Sequence, residues 1–312
     1  MIHRIEPDTR ILHGRFSRER KPVLTIDSGD TIIAGTRFCS WGIEPPERPD
    51  VLPPITKLAD RADPVNDAGN CLVGPVAIRG AKPGMTLQVE IEGMKVATFG
   101  VSLTGGSNNP RYARVGISDE FAWMPWVIDA DAGTASNLSG HTVKLRPFLG
   151  CLGCCPDLPG YVDNMAPRAV GGNMDCKDLV AGSTLYLPIE VPDALFSFGD
   201  GHAVQGDGET GDSAIECPME DVRLTLTLRD DMPTKWPIAK TPDAWITFGF
   251  ADNVDDATYI AVNNMLDLMM EKLGVSRADA FMLSGLVVDL RITQIVNPAV
   301  GVHAVWRDDA LI

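Results

Sequence analysis

The chain lacks the features that mark several large classes of protein. Its 312 residues contain 27 lysines and arginines against 42 aspartates and glutamates, which gives a formal net charge of −15 with no basic patch. Nucleic acids and anionic membranes attract positive charge, so this composition excludes both as partners and favours a neutral or cationic small ligand.

The sequence also has no run of about eighteen consecutive apolar residues, the length that a membrane-spanning helix needs. Its opening residues, MIHRIEPDTR, contain neither an apolar stretch nor a small-residue cleavage motif. The seven cysteines are odd in number and unevenly spaced, unlike the paired framework of a small secreted domain. We therefore expect a soluble chain of the reducing cytoplasm.

What is present is typical of a globular fold rich in β-strands. Hydrophobic residues make up 45% of the chain and charged residues 22%. We predict a mainly β architecture, with sheets packed as a sandwich or barrel-like core and a smaller α+β section that carries a C-terminal helix pair. We treat residues 1–312 as one unit, within which 1–150 and 151–312 are candidate parts.

The predicted strands are short apolar or alternating runs bounded by turn residues. A hairpin is expected where VLTID (23–27) and TIIAG (31–35) flank a Ser-Gly-Asp turn. The most regular alternation is DVRLTLTLRD at 221–230. Further strands are predicted within 72–91, 142–150, 185–200, 285–297 and 300–307.

Helices are predicted at two places. Over 254–273 apolar residues recur with helical spacing, acidic residues begin the segment and Gly274 follows it. A second helix is predicted at 276–284, with Ser276 as its N-cap. Six prolines between residues 39 and 70 exclude long helices there, so this stretch is expected to be a loop with one short helix near 55–62. The glycine-rich tip at 105–110 has no lysine and no clear helix after it, which argues against a phosphate-binding loop.

The densest polar stretch is FSFGDGHAVQGDGETGDSAIE at 196–216, with five acidic side chains and one histidine among glycines. Glycines let the backbone turn sharply and approach a ligand closely, so the polar side chains can converge on one point. In an extended segment Asp200 and His202 share a face, which suits metal binding. A second cluster, GGNMDCKDL at 171–179, can lie alongside if the two segments pair as strands.

This stretch resembles the acetamidase/formamidase family, in which it is the most recognisable segment. Here it reads Gly199-Asp200-Gly201-His202, then Gln205-Gly206-Asp207-Gly208-Glu209 and Glu216. Two other segments match in the same order, from Gly74-Pro75 to Ile91 and over DLRITQIV at 289–296. Met85 replaces an acidic residue that is usual in the family, and the chain departs from the family pattern across 39–70. The resemblance implies a mainly β fold, homo-oligomers and formamide or acetamide as substrate.

From these residues and the resemblance we hypothesise a metal-dependent hydrolase of a small, linear, neutral amide. Asp175, Asp200 and His202 would hold the divalent cation, and histidine with carboxylates favours zinc while tolerating calcium. Glu209 would act as general acid and base, because amide hydrolysis needs a proton for the departing amine. The residues that would orient the amide or the attacking water are Asn173 and Gln205. Glu216 is either a supporting residue or a strand residue of the far face.

Three other interpretations stay open. A non-catalytic β-domain could bind a metal or small solute through the same acidic stretch. A thiol-dependent amidase would use a cysteine near a lysine, as Cys176 and Lys177 are. His202 could also be a hydrogen-bonded core histidine beside a solubilising turn. A serine hydrolase is disfavoured because the sequence has no G-x-S-x-G motif.

The segment Cys151-Leu-Gly-Cys154-Cys155 contains a lone C-x-x-C. It lacks the second pair that a structural zinc site needs, so buried thiols in a tight turn are expected. The resemblance implies that Cys154 and Cys155 line the active site without acting as nucleophiles.

Overall fold

The computed structural model describes residues 1–6, 8–41, 63, 65–106, 109–117 and 120–311. Over these residues the chain forms four β-sheets, three α-helices and a 3-10 turn at Thr9–Ile11. The predicted short helix near 55–62 lies outside the described residues. None of the described helices is long and apolar enough to cross a membrane.

The largest sheet has nine strands and mixes segments from before and after residue 150. Its order across the sheet is β1 (Ile2–Ile5), β5 (Asp30–Ala34), β17 (Met219–Arg229), β7 (Thr86–Val96), β15 (Thr184–Pro188), β18 (Ile238–Lys240), β19 (Ala244–Ala251), β21 (Val300–Arg307) and β20 (Val288–Gln294). The predicted alternation at 221–230 is confirmed in β17, where Val222, Leu224 and Leu226 are fully buried and the residues between them are partly exposed.

A second sheet of six strands carries the polar stretch. Its strands are β14 (Gly171–Asn173), β12 (Phe148–Gly153), β16 (Phe196–His202), β6 (Leu72–Ile78) and β2 (Leu12–His13), with β4 (Leu24–Ile26) also paired to β6. Leu87 and Leu224 of the nine-stranded sheet share one buried core with Val76, Leu149 and Phe198 of this sheet. The sheets therefore pack face to face as a sandwich, which confirms the mainly β prediction.

Two smaller sheets complete the β-structure. One has the order β11 (Thr142–Lys144), β10 (Thr134–Asn137), β9 (Ala122–Asp129) and β8 (Phe99–Thr104), and the other pairs β13 (Val162–Asp163) with β3 (Arg15–Phe16). A short helix, α1 (Pro110–Val115), begins after the N-cap Asn109, whose side chain accepts a hydrogen bond from the Arg111 amide. The sequence prediction that no helix follows the glycine-rich tip was wrong, because α1 is too short to show an apolar period.

The C-terminal helix pair is present. Helix α2 (Val254–Leu273) ends at Gly274, as predicted, and its buried methionines Met265 and Met269 pack against β19 and β21. Helix α3 (Arg277–Val287) begins after the predicted N-cap Ser276, whose side chain accepts from the Asp279 amide, and it continues past the predicted end at 284. Helix ends with no glycine or proline beyond them are hard to place from sequence.

The predicted hairpin at 23–35 was wrong in its pairing. The turn around Gly29 separates β4 and β5, but β4 pairs in parallel with β6 and β5 pairs with β1 and β17. The two strands enter different sheets because each finds its buried partners far away in sequence. The predicted strands within 72–91 and 142–150 are each broken into two, at the Gly80 to Gly84 turn and at 145–147.

Candidate metal centre and active site

The site begins on β16, at the centre of the six-stranded sheet. Asp200 and His202 are both buried there, and Gly150 lies beside them on β12. A Cβ placed on Gly150 would lie 2.4 Å from Asp175 Oδ1, 2.6 Å from Asp200 Oδ2 and 3.0 Å from His202 Cε1. Glycine at this position therefore leaves the space in which the three side chains meet.

The other acidic residues arrive from three chain segments. Asp175 follows β14, which pairs with β12. Glu209 lies in the loop after β16, and Glu216 returns to form an isolated β-bridge with His202. The candidate ligand atoms of Asp175, Asp200 and His202 all lie within 4.8 Å of one another, and so do those of His202, Glu209 and Glu216. His202 is common to both groups.

Gln205 fixes the orientation of His202. The Gln205 side-chain nitrogen donates to the Asp175 carbonyl over 2.8 Å, which turns its oxygen toward His202 Nδ1 at 3.0 Å. Nδ1 must then carry a hydrogen, because an amide oxygen only accepts. His202 Nε2 consequently faces the carboxylates, 3.1 Å from Glu216 Oε2 and 3.5 Å from Asp200 Oδ1.

The side chains of Asn70 and Asn297 donate hydrogen bonds to the Asp200 and Asp175 carboxylates and to Asn173. Asn70 Nδ2 donates to Asp200 Oδ2 over 3.0 Å and to Asn173 Oδ1 over 3.1 Å. Asn297 Nδ2 donates to Asp175 Oδ2, and to the Asn173 carbonyl over 3.2 Å. Asp175 Oδ1 has no hydrogen-bond partner among the described residues, so this oxygen can bind a ligand.

Three of the four site carboxylates are on left-handed backbone. The φ angles are +51° at Asp175, +60° at Asp200 and +47° at Glu209. Such conformations cost about 1 kcal/mol or more for a non-glycine residue and are concentrated at functional sites. The backbone is therefore strained where the acidic side chains converge.

Burial of so many charges shifts their proton affinities. Burial, and then the neighbouring Asp200 carboxylate, raise the pKa of Asp175 to about 7. Burial and the Asp175 carboxylate raise the pKa of Glu209 well above its usual range. Burial opposes the charged form of His202, but Glu216 and Asp200 outweigh it and raise the pKa of His202. Without a cation, then, the site retains protons that a carboxylate and an imidazole normally lose near neutral pH.

These side chains surround a cavity of about 170 Å³. Two buried oxygens, Asp175 Oδ1 and Glu209 Oε2, have no hydrogen-bond partner among the described residues, and Glu216 Oε2 contacts His202 Nε2. Buried polar groups are normally satisfied, so carboxylate oxygens without a partner, gathered around an imidazole nitrogen that faces carboxylates only, fit a divalent cation. The described lining residues are Cys39, Asn70, Leu103, Met165, Asn173, Asp175, Asp200, His202, Glu209, Asp212, Ser213, Glu216, Val296 and Asn297.

The structure brings together the six residues that the sequence proposed as metal ligands and catalytic groups: Asn173, Asp175, Asp200, His202, Gln205 and Glu209. Asn173 lines the cavity, whereas Gln205 lies behind His202 and is not among the lining residues. Glu216, whose place the sequence left open, contacts His202 and the cavity. Sequence reasoning missed Asn70 and Asn297. The only available signal was that Asn297 directly follows the matching segment 289–296.

The cysteine segment does not reach the cavity. Cys151 and Cys155 pack in one buried cluster and Cys154 in another, so the C-x-x-C thiols do not face a common site. The lining cysteine is Cys39, where burial and Glu216 raise the pKa of the thiol well above its usual value. Burial also raises the pKa of Cys176, and Lys177 pairs with Asp207. A reactive thiolate is disfavoured at these positions.

Fold and site together define a β-sandwich protein with a buried carboxylate-and-histidine centre. The model of the Acetamidase/Formamidase family matches residues 162–305. Over these residues, a little under half of the chain, the sequence is similar to this family.

Solved structures with the same fold align with nearly the whole chain. A predicted acetamidase/formamidase of Thermoanaerobacter tengcongensis has a TM-score of 0.85 and 26% identity, over 99% of this chain and 97% of that chain. An acetamidase of Bacillus halodurans has a TM-score of 0.82 and 28% identity, over 97% of both chains. A formamidase of Methylophilus methylotrophus is 54% identical over 43 residues, which are 14% of this chain and only 11% of that relative's length.

Proposed function

We propose that this protein hydrolyses the carbon–nitrogen bond of a small, linear, neutral amide, with a divalent cation held by Asp175, Asp200 and His202. The observation that carries the proposal is the cluster of buried carboxylate oxygens around His202 Nε2, of which Asp175 Oδ1 and Glu209 Oε2 have no hydrogen-bond partner among the described residues. Such a set has a high desolvation cost unless a cation or protons neutralise it. The imidazole nitrogen favours zinc over calcium as the cation.

When bound, the cation acts as a Lewis acid toward the amide carbonyl and lowers the pKa of a water molecule. Glu209 takes a proton from the attacking water as the water oxygen bonds to the amide carbon. Glu209 then passes that proton to the amide nitrogen as the carbon–nitrogen bond breaks, which leaves the carboxylic acid and ammonia. Burial of Glu209 suits this exchange, because a raised pKa lets the side chain hold a proton near neutral pH.

Asn173 and the residues that line the cavity orient the substrate. The Asn173 side chain accepts one hydrogen bond from Asn70 and donates one to the Met165 carbonyl over 3.4 Å. An amide has capacity for four, so Asn173 can still bind the substrate amide. Leu103, Met165 and Val296 supply apolar lining for a short acyl group. The small cavity and the names of the relatives favour formamide and acetamide over larger amides.

The test is ammonia release from amides of increasing size, by the purified protein with its metal content measured. We expect turnover that a chelator abolishes and that zinc restores better than calcium. His202→Ala should lose both metal and turnover, whereas the matched control His141→Ala, an exposed histidine of another sheet region, should keep both.

Two results would contradict the proposal. Activity that survives chelation but is lost to N-ethylmaleimide would indicate a cysteine nucleophile. Bound metal with no turnover of any amide would indicate the non-catalytic binding domain.

A further inference from the structure

Arg291 on β20 joins two loops that carry site carboxylates. Its Nη1 donates to Asp178 Oδ2 over 2.6 Å, and Asp178 lies three residues after Asp175. Its Nε and Nη2 donate to the two oxygens of Asp207 over 2.8 and 2.9 Å, and Asp207 lies two residues before Glu209. One guanidinium thus ties the Asp175 loop to the Glu209 loop.

Backbone contacts dock the same loop on the end of β20. The Gly208 amide donates to the Thr293 carbonyl over 3.0 Å, and the Ile295 amide donates to the Gly208 carbonyl over 3.1 Å. Gly208 is the residue directly before Glu209, so the docked segment includes the immediate neighbour of the proposed acid and base.

The far side of the loop is anchored as well. Arg111 Nη2 donates to Asp212 Oδ1 over 2.8 Å, and Thr104 Oγ1 donates to Asp212 Oδ2 over 3.1 Å. Glu209 lies between the two anchors, on left-handed backbone with its Oε2 buried and unpaired. A strained backbone persists only where its surroundings hold it, and these anchors do so.

An arginine is required for the bridge to Asp178 and Asp207. Its planar guanidinium offers several N–H donors in a fixed fork, which can bind one carboxylate through two bonds and a second through another. A lysine ammonium is a point charge on a flexible stem and cannot hold both carboxylates in a fixed relation.

We infer that Arg291 is a positioning residue that fixes Glu209 relative to Asp175 for the reaction. This inference rests on the proposed amide hydrolysis. It also gives a role to the segment 289–296, which resembles the family but contributes only Val296 to the cavity. Displacement of a catalytic group by about 1 Å can cost about 100-fold in rate, so a residue outside the cavity can control turnover.

The test compares Arg291→Lys with the matched control Arg146→Lys. Arg146 also binds Asp178, over 2.6 Å, but makes no ion pair with the Glu209 loop. For Arg291→Lys and for Asp207→Asn we expect kcat to fall about 10- to 100-fold, with KM changed less than about twofold. The kcat of the double variant should be no lower than that of the less active single variant, because both substitutions break the same bridge. Arg146→Lys should retain kcat.

A readout independent of activity is amide hydrogen exchange of peptides spanning 205–213, measured by mass spectrometry. Exchange should rise in Arg291→Lys and stay unchanged in Arg146→Lys. Unchanged exchange in Arg291→Lys, or a kcat equal to that of Arg146→Lys, would overturn the inference. If the unmodified protein hydrolyses no amide, the proposed function fails, and the exchange comparison still decides whether Arg291 holds the loop.

Discussion

Gln205 and His202 form a hydrogen bond that decides which imidazole nitrogen faces the site. The Gln205 side chain spans from the Asp175 carbonyl to His202 Nδ1, so Nε2 is the nitrogen that faces Glu216 and Asp200. A partner that fixes the tautomer of a metal-binding histidine typically contributes 10- to 100-fold to metal affinity.

Replacing Gln205 should therefore weaken metal binding without replacing a ligand. We expect Gln205→Leu, which is similar in size, to raise the zinc dissociation constant by about 10- to 100-fold, measured by competition with a chromophoric chelator. Gln88→Leu, at a partly exposed glutamine of β7, is the control. Equal zinc affinity in both variants would show that His202 is not the ligand.

The absence of a side chain at Gly150 should be needed for Asp175, Asp200 and His202 to meet at one point. In Gly150→Ala the new methyl would lie 2.4 Å from Asp175 Oδ1 and 2.6 Å from Asp200 Oδ2, and both side chains are buried and hydrogen-bonded. We expect zinc binding to be lost and the melting temperature to fall, because these carboxylates must move to make room for the methyl group. In Gly93→Ala a Cβ meets nothing within 4 Å, so this variant should keep both stability and zinc binding. Retained affinity in Gly150→Ala would place the ion elsewhere.

Replacing Glu209 should lower kcat and change how stability depends on pH. Burial raises the pKa of Glu209, so its folded state holds a proton that the unfolded state has lost, and stability falls as pH rises through the folded pKa. Glu209→Gln keeps the shape and cannot ionise. We expect kcat to fall by about 100-fold or more. The metal-free variant should lose less stability than the metal-free original as the pH rises above about 4.5, the ordinary pKa of a glutamate, measured by urea unfolding. Full activity of Glu209→Gln would exclude it as the acid and base.

His13 should make the protein acid-sensitive from outside the site. Its ring is buried, with Nδ1 3.0 Å from the Arg15 carbonyl and Nε2 2.9 Å from Ser197 Oγ, and burial lowers the pKa of His13 to about 3. The unfolded chain takes up this proton below pH of about 6.5, so stability falls as pH drops from there toward 3. Between pH 7.5 and pH 5.5 this residue should cost about 1.4 kcal/mol of unfolding free energy.

The check on His13 is the pH dependence of urea unfolding. His13→Asn should lower stability at neutral pH yet lose that part of the acid dependence, whereas the exposed control His141→Asn should keep the dependence of the original protein. If the unfolding free energy varied with pH in the same way in all three proteins, His13 would ionise in the folded state without cost.

Local patterns made part of the fold predictable. In β17 apolar and polar residues alternate along a single strand, and α2 is bounded by acidic residues and Gly274, so both could be derived from neighbouring residues alone. The pairing of β4 and β5 could not, because β5 finds its partner β17 almost two hundred residues further along the chain. Pairing depends on which buried faces match across the whole fold, and a short stretch does not record that.

The site divides in the same way. Sequence by itself determined that Asp200, His202 and Glu209 gather in one short glycine-rich stretch, because close spacing on a flexible backbone brings polar groups together. Only the tertiary structure decided which groups hold them. Asn70 reaches Asp200 from 130 residues away, and Asn297 reaches Asp175 from 122 residues away. Gln205 turns its oxygen toward His202 only because the Asp175 carbonyl occupies its nitrogen. Hydrogen bonds between segments so distant depend on how the sheets pack, which no spacing in the sequence specifies.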